Sequence, residues 1–262
     1  MQKLGRALMF TIIVLVSLFM IVPLVFTIIG SFAGYWGSTL FKSGWTLDWY
    51  KEVLHSYGST ITLTLIIAVL TVIINVLLGT MTAFQFSRSS SRSLKVLEEI
   101  LTLPIAVPGV AIALALIQTY ALFRVSGLLI LIGHVIVTFP LLFRTVLGTL
   151  RTRNFKSIDE SASTLGAGPF YRFFFVILPA IRPAVLSGAM MVFLLSLGEF
   201  NMTFFLYTPL KVTLPVGLYE AYSSLRIEVG SAYTVFFMII AFPFMCVLQA
   251  FNKSELTKKG GA

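Results

Sequence analysis

The sequence predicts an all-α integral membrane protein with six transmembrane helices. Three observations carry this. The chain is 58% hydrophobic and only 11% charged, with a mean hydropathy of +0.97, whereas a soluble domain carries roughly 25% charged residues. No single soluble core can bury that much apolar surface in 262 residues, so lipid is the solvent for much of it. Six segments reach the about 20 mostly apolar residues that a bilayer crossing requires. The basic residues gather at the ends of those segments, far more on one side than on the other.

The first span, residues 7–32, is uncharged over its whole length. It exceeds the roughly 7–15-residue apolar stretch of a secretory signal and reads as a retained helix. Trp36, Trp45 and Trp49 follow it and suit a membrane interface. Asp48 to Tyr57 reads as a short surface helix ahead of the second span, 59–86. The third span, 100–122, carries Pro104 and Pro108. These either shape packing or break the helix so that it flexes, and both readings stand at this point. A tight turn at Ser126-Gly127 leads to the fourth span, 128–147, whose apolar stretch stops at Arg144. The fifth, 184–206, holds one acid, Glu199; the sixth is 229–251. Between these two, Pro209 and Pro215 mark a connection that dips or folds back. There is no internal repeat and no low-complexity linker, so 1–262 reads as a single membrane domain.

Orientation follows from charge. With the N-terminus in the cytoplasm, all but five of the 19 Lys and Arg fall on the cytoplasmic side; the exceptions are Lys42, Lys51, Arg124, Lys211 and Arg226. Membrane proteins keep an excess of Lys and Arg on that side. Both termini and the long loop 148–183 are therefore expected in the cytoplasm. The same placement accounts for the net charge of +9 and removes the need to invoke nucleic acid. Cys246 is the one cysteine, so an intramolecular disulfide is excluded. His55 and His134 lie on different segments, with no Cys, Asp or second His at ligand spacing to hold a metal. They also assemble no catalytic set, which counts against a membrane enzyme.

Inside the spans, Glu199 stands out, because an ionised carboxylate at mid-membrane costs a few kcal/mol or more. Two readings remain open: Glu199, with Asn201 and Thr203, lines a translocation path, or it bonds to another helix, a backbone group or another subunit. Asn75, Gln85, Gln118, His134 and Gln249 read as interhelical hydrogen-bonding groups. An ion-coupled secondary transporter would need more ion-binding groups in its spans than this single acid.

Within the loop, residues 157–165 have helical character. Ser157 can cap the first turn and Glu160 completes a capping box. Asp159 and Glu160 favour the positive end of the helix dipole, and Gly166 provides the stop. Ser161, Ala162 and Ser163 are small enough for a partner to approach closely. An aromatic run, Phe170, Tyr171 and Phe173 to Phe175, then leads towards the fifth span.

Glu160-Ser161-Ala162, three residues, Gly166, nine residues, Val176, one residue and Leu178-Pro179 together resemble the signature loop of the permease subunits of binding-protein-dependent ABC importers. The family pattern has Ala where Ser161 stands and Ile where Val176 stands. The six-span layout, with this loop before the fifth span, is similar too, and the resemblance covers roughly residues 59–251. It implies a type I importer permease fold in a bacterial cytoplasmic (inner) membrane. It also implies that Asp159, Glu160, Ser161, Ala162, Leu165 and Gly166 form a coupling helix gripped by an ATPase. The partners it implies are a second permease (a related chain or a second copy), two ATP-binding subunits and an extracytoplasmic solute-binding protein. ATP and magnesium would sit on the ATPase chains, because no Gly-x-x-x-x-Gly-Lys-Ser/Thr motif occurs here; this chain is expected to be non-catalytic and to hold no cofactor. The block 196–219 resembles the branch that imports polyamines, ferric iron, aminophosphonates, sulfate or molybdate. The acids Glu199, Glu220 and Glu228 on the outer half favour a polyamine or another amine.

Overall fold

A computed structural model describes residues 2–36, 44–88, 91–152 and 155–259. Lys42 and Arg153, counted above, lie outside the described residues, as does the side chain of Gln249. The architecture is helical: α1 (Gln2–Gly30), α2 (Asp48–Arg88), α3 (Arg92–Thr102), α4 (Gly109–Tyr120), α5 (Leu128–Thr152), α6 (Phe155–Thr164), a single turn α7 (Pro169–Tyr171), α8 (Leu178–Leu197), a short α9 (Thr203–Leu206), α10 (Leu214–Ser223) and α11 (Ile227–Lys259). Two isolated bridges, Ala33 with Trp45 and Thr208 with Lys211, are the extended pairings among the described residues. Five helices are long and apolar enough to cross a membrane. The helix pair 92–105 and 109–123 passes the same test only when taken together, which brings the described residues to up to six spans.

Several boundaries move from their expected places. Asp48 to Tyr57 is no separate surface helix but the opening of α2. The third span is broken: its halves meet at 101°, around a Leu103–Ile105 turn and a Pro108 held extended at ψ 135. Proline has no N–H to continue the ladder, so the break falls where the pattern Pro104…Pro108 puts it. Arg144 does not end the fourth span. It lies inside α5, and its Nη2 donates to Thr102 Oγ1 at 3.0 Å. The fifth span is helical from Pro169 onward, not from 184, and it stops at Leu197; Gly198 to Met202 is non-helical before α9. The expected tight turn is present, with Gly127 at φ +79.

Residue contacts divide the chain into two compact units, 1–59 with 216–240 and 60–215 with 241–262. In the first, the side chains of α1 from Leu8 to Phe26 are mostly exposed. The segment after α1 is pinned by Trp49 Nε1 donating to Ala33 O at 2.8 Å. Arg226 pairs with Glu52 at 2.7 Å, and Trp36 N–H donates to the Glu228 carboxylate.

The second unit is built round α5, which packs most extensively against α8. Its core has two apolar clusters. One, towards the 148–183 loop, joins Phe84 and Phe86 of α2, Leu142 to Leu150 of α5, Phe155 of α6, and Phe173, Ile177 and Ile181 leading into α8. The other, at the opposite end, joins Ile67, Ala113, Leu116, Leu129, Ile130, Met202 and Leu206. Burial of large apolar side chains stabilises each cluster by about 1.5–3 kcal/mol per residue in water. In lipid that term vanishes, and close packing and hydrogen bonds carry the association instead.

Candidate functional site

Between the two apolar clusters lies a polar layer. Thr203 has one hydroxyl hydrogen, and it donates to Glu199 Oε2. The contact at 2.8 Å between that hydroxyl and His134 must then have Nε2–H as donor. In the neutral ring, His134 Nδ1 accepts from Ser196 Oγ at 2.7 Å. Thr138 donates to the backbone carbonyl of His134, and Asn75 Nδ2 donates to Thr138 at 2.7 Å. The layer thus links α2, α5 and the end of α8. These hydrogen bonds pair most polar groups of the layer, since an unpaired one in hydrocarbon costs several kcal/mol; Asn75 Oδ1 is buried without a partner.

Glu199 sits where the helix has come apart. Its two oxygens accept from the backbone amides of Met202 at 2.8 Å and Thr203 at 2.9 Å. These amides lack helical partners, and the carboxylate replaces them. Of the two readings of Glu199 from sequence, the bond to a backbone group is present. Asn201 is exposed, while Thr203 is buried against Glu199 and His134. The break in this span also touches the break in the third one: a methyl on Gly109 would stand 3.3 Å from Met202 Cβ and 3.7 Å from Asn201 Cβ. Of the three outer acids that favour a cationic solute, Glu199 and Glu228 are both engaged by backbone N–H groups.

The second candidate site is the loop. Helix α6 starts at Phe155, so Ser157 is its third residue and not its cap. The Ser157 carbonyl instead accepts the Ser161 hydroxyl at 2.8 Å. The stop at Gly166 is as expected: φ is +85, Ala167 N–H reaches Ala162 O at 3.1 Å and Gly166 N–H reaches Ser163 O at 2.9 Å. These are the two bonds of a Schellman C-cap.

Helical periodicity then sorts the predicted residues by face. Phe155 and Asp159 point inward, one turn apart. Glu160 and Ser161 are exposed, and Ala162 is half-buried. Leu165 is 88% exposed, and Phe170 beyond the cap is 75% exposed. Asp159 is 3% exposed and is paired with Arg88 Nη2 at 3.0 Å and Arg172 Nε at 3.2 Å. Sequence reasoning grouped Asp159 with the outward residues and missed both arginines, whose positions near the ends of two spans were the only available signal. Beside them a cleft of about 300 Å³ opens between the end of α2 and the segment from Pro169 to Phe174.

Comparison with known proteins completes the picture. The family model described as "binding-protein-dependent transport system inner membrane component" matches residues 75–255. The chain belongs to this family. It is an inner-membrane ABC importer permease for small solutes. The permease is 28% identical over 245 residues to a putative 2-aminoethylphosphonate transport system permease protein of Salmonella typhimurium, covering 92% of each chain. It is 32% identical over 200 residues to a putrescine transport system permease protein of Escherichia coli, covering 72% of this chain and 69% of that one. A probable sulfate transport system permease protein of Helicosporidium is 29% identical over 174 residues, 61% of this chain and 64% of its own. Membership implies an ATPase and a solute-binding protein as partners. The residues of α6 and the loop end of the core lie inside the matched range.

Proposed function

We propose that this permease forms one half of a membrane channel that imports a small amine, with a putrescine- or spermidine-like polyamine as cargo. Two separate ATPase chains drive it, a second permease completes the channel and an extracytoplasmic binding protein delivers the solute. Both termini and α6 face the cytoplasm. The observation that carries the reading is α6 itself: a capped helix held out between two spans, with Glu160, Ser161 and Leu165 exposed ahead of a left-handed Gly166. Glu160, Ser161, Ala162, Leu165 and Gly166 form the grip for the ATPase. ATPase closure shifts the permease pair between inward- and outward-open populations.

A 2-aminoethylphosphonate cargo is the second reading, favoured by the relative that aligns over 92% of the chain. Both solutes carry a primary amine. Ferric iron and the oxyanions sulfate and molybdate are the further alternatives within the branch.

Purification of the tagged permease from native membranes in mild detergent tests this. The expected result is co-purification of an ATPase and a second permease, with hydrolysis raised by putrescine and the cognate binding protein. Stimulation by 2-aminoethylphosphonate instead selects the second reading. A chain that purifies alone, with nucleotide-independent uptake, refutes the ATP-driven assignment.

A further inference from the structure

Helix α6 is anchored by its inner face, through Phe155 in the apolar cluster and through an ionic contact at Asp159. Asp159 lies almost wholly buried, with each carboxylate oxygen facing a different arginine: Oδ2 faces Arg88 and Oδ1 faces Arg172. These arginines belong to different spans. Arg88 is the last residue of α2, and its guanidinium also lies over the Phe84 ring at 5.2 Å. Arg172 opens the stretch that leads into α8.

That stretch is unusual. From Arg172 to Ile177 the chain winds as a π-helix, and Leu178 N–H bonds to Phe173 O, five residues back. Wide turns of this kind mark places where a helix bends, and they recur at functional sites. Arg172 Nε approaches Asp159 closely, yet the pair lacks hydrogen-bond alignment. The contact therefore has room to tighten or loosen as the π turn shifts.

We propose that Asp159 is a positioning residue for energy coupling, tying α6 to α2 and α8 at once so that one displacement of α6 moves both spans together. This rests on the reading of α6 as the ATPase grip. The physical basis is that a buried carboxylate shared by a buried Arg172 and a more exposed Arg88 is costly to break. Removing it leaves two guanidiniums close together with no counter-charge. A rigid apolar contact on one span alone would move only that span. Glu160 does something different, since it points outward and meets the partner.

The test uses the whole transporter, reconstituted in liposomes with its ATPase and binding protein and probed with putrescine or 2-aminoethylphosphonate. Asp159→Asn keeps the shape and removes the charge. We expect its abundance to fall, while, per copy of assembled transporter, ATPase co-purification and basal hydrolysis stay near wild type and solute-stimulated hydrolysis and uptake drop about tenfold, the scale of a typical coupling between sites. Asp159→Glu restores most of the stimulation. Arg88→Gln and Arg172→Gln each lose part of it, and neither adds to the loss in Asp159→Asn. Where Asp159→Asn fails to accumulate, the two arginine variants carry the test. Full stimulation in Asp159→Asn overturns the proposal, as does full stimulation in both arginine variants. Loss of ATPase co-purification in step with activity also overturns it, because Asp159 then only holds the loop in place. Wild type without solute-stimulated hydrolysis refutes the function itself, a failure distinct from these.

Discussion

Glu199 accepts two backbone N–H groups and the Thr203 hydroxyl at a point where the fifth span leaves the α-helix. An acid in that position substitutes for missing carbonyls, and His134 extends the arrangement to Ser196. Glu199→Gln keeps the size but turns one acceptor oxygen into an NH₂ that faces a donor. Hydrogen bonds to charged groups contribute about 1.5–3 kcal/mol, and 1 kcal/mol moves the unfolding midpoint of a protein near this size by roughly 2–4 °C. The purified variant is expected to unfold several degrees lower in detergent, with an unchanged solute concentration for half-maximal ATPase stimulation. Unchanged stability together with a shifted solute dependence would instead make Glu199 a cargo contact. Asp159 follows the same rule on a larger scale, being buried only because two arginines meet it.

At the scale of elements, the ends of helices decide what each can do. Helix α6 is short, and its outward face ends cleanly because Gly166 adopts φ +85. A side chain there meets nothing within 4 Å, so any penalty comes from the backbone alone. The left-handed conformation costs an ordinary residue about 1–2 kcal/mol and is an outlier for a β-branched one. Gly166→Val is therefore expected to insert in the membrane at normal abundance yet lose most solute-stimulated hydrolysis, because Leu165 no longer sits at the cap. Gly166→Asn, which tolerates this conformation, should keep most of it. Equal activities of the two variants would show that the cap geometry is irrelevant. The breaks in the third and fifth spans are the other decisive ends. Each interrupts the α-helix of its span, and the two approach one another at Gly109 and Met202.

For the whole molecule, orientation is the property from which the coupling argument starts. Replacing Cys246 with Ser leaves no thiol. A single cysteine at Ser163 should then react with a membrane-impermeant maleimide only in inverted vesicles, and one at Leu47 only in intact cells or spheroplasts. The opposite pattern would invert the topology and remove α6 from the reach of a cytoplasmic ATPase. Much of this protein was legible in the order of its residues. The six apolar runs, the turn at Gly127, the stop at Gly166 and the family of the loop from Glu160 to Pro179 all show there. Such features depend on composition or on neighbours close along the chain, and lipid or local backbone geometry enforces them wherever the rest of the fold goes. Ser157 is not a cap because α6 already includes Phe155, two residues earlier, which is buried in the core. The sequence by itself determined a helical importer permease with a short helix, stopped at Gly166, in the loop before its fifth span. Only the tertiary structure decided that Asp159 faces inward to Arg88 and Arg172, that Glu199 serves backbone amides and that two broken helices meet, because each depends on packing between residues far apart in the chain.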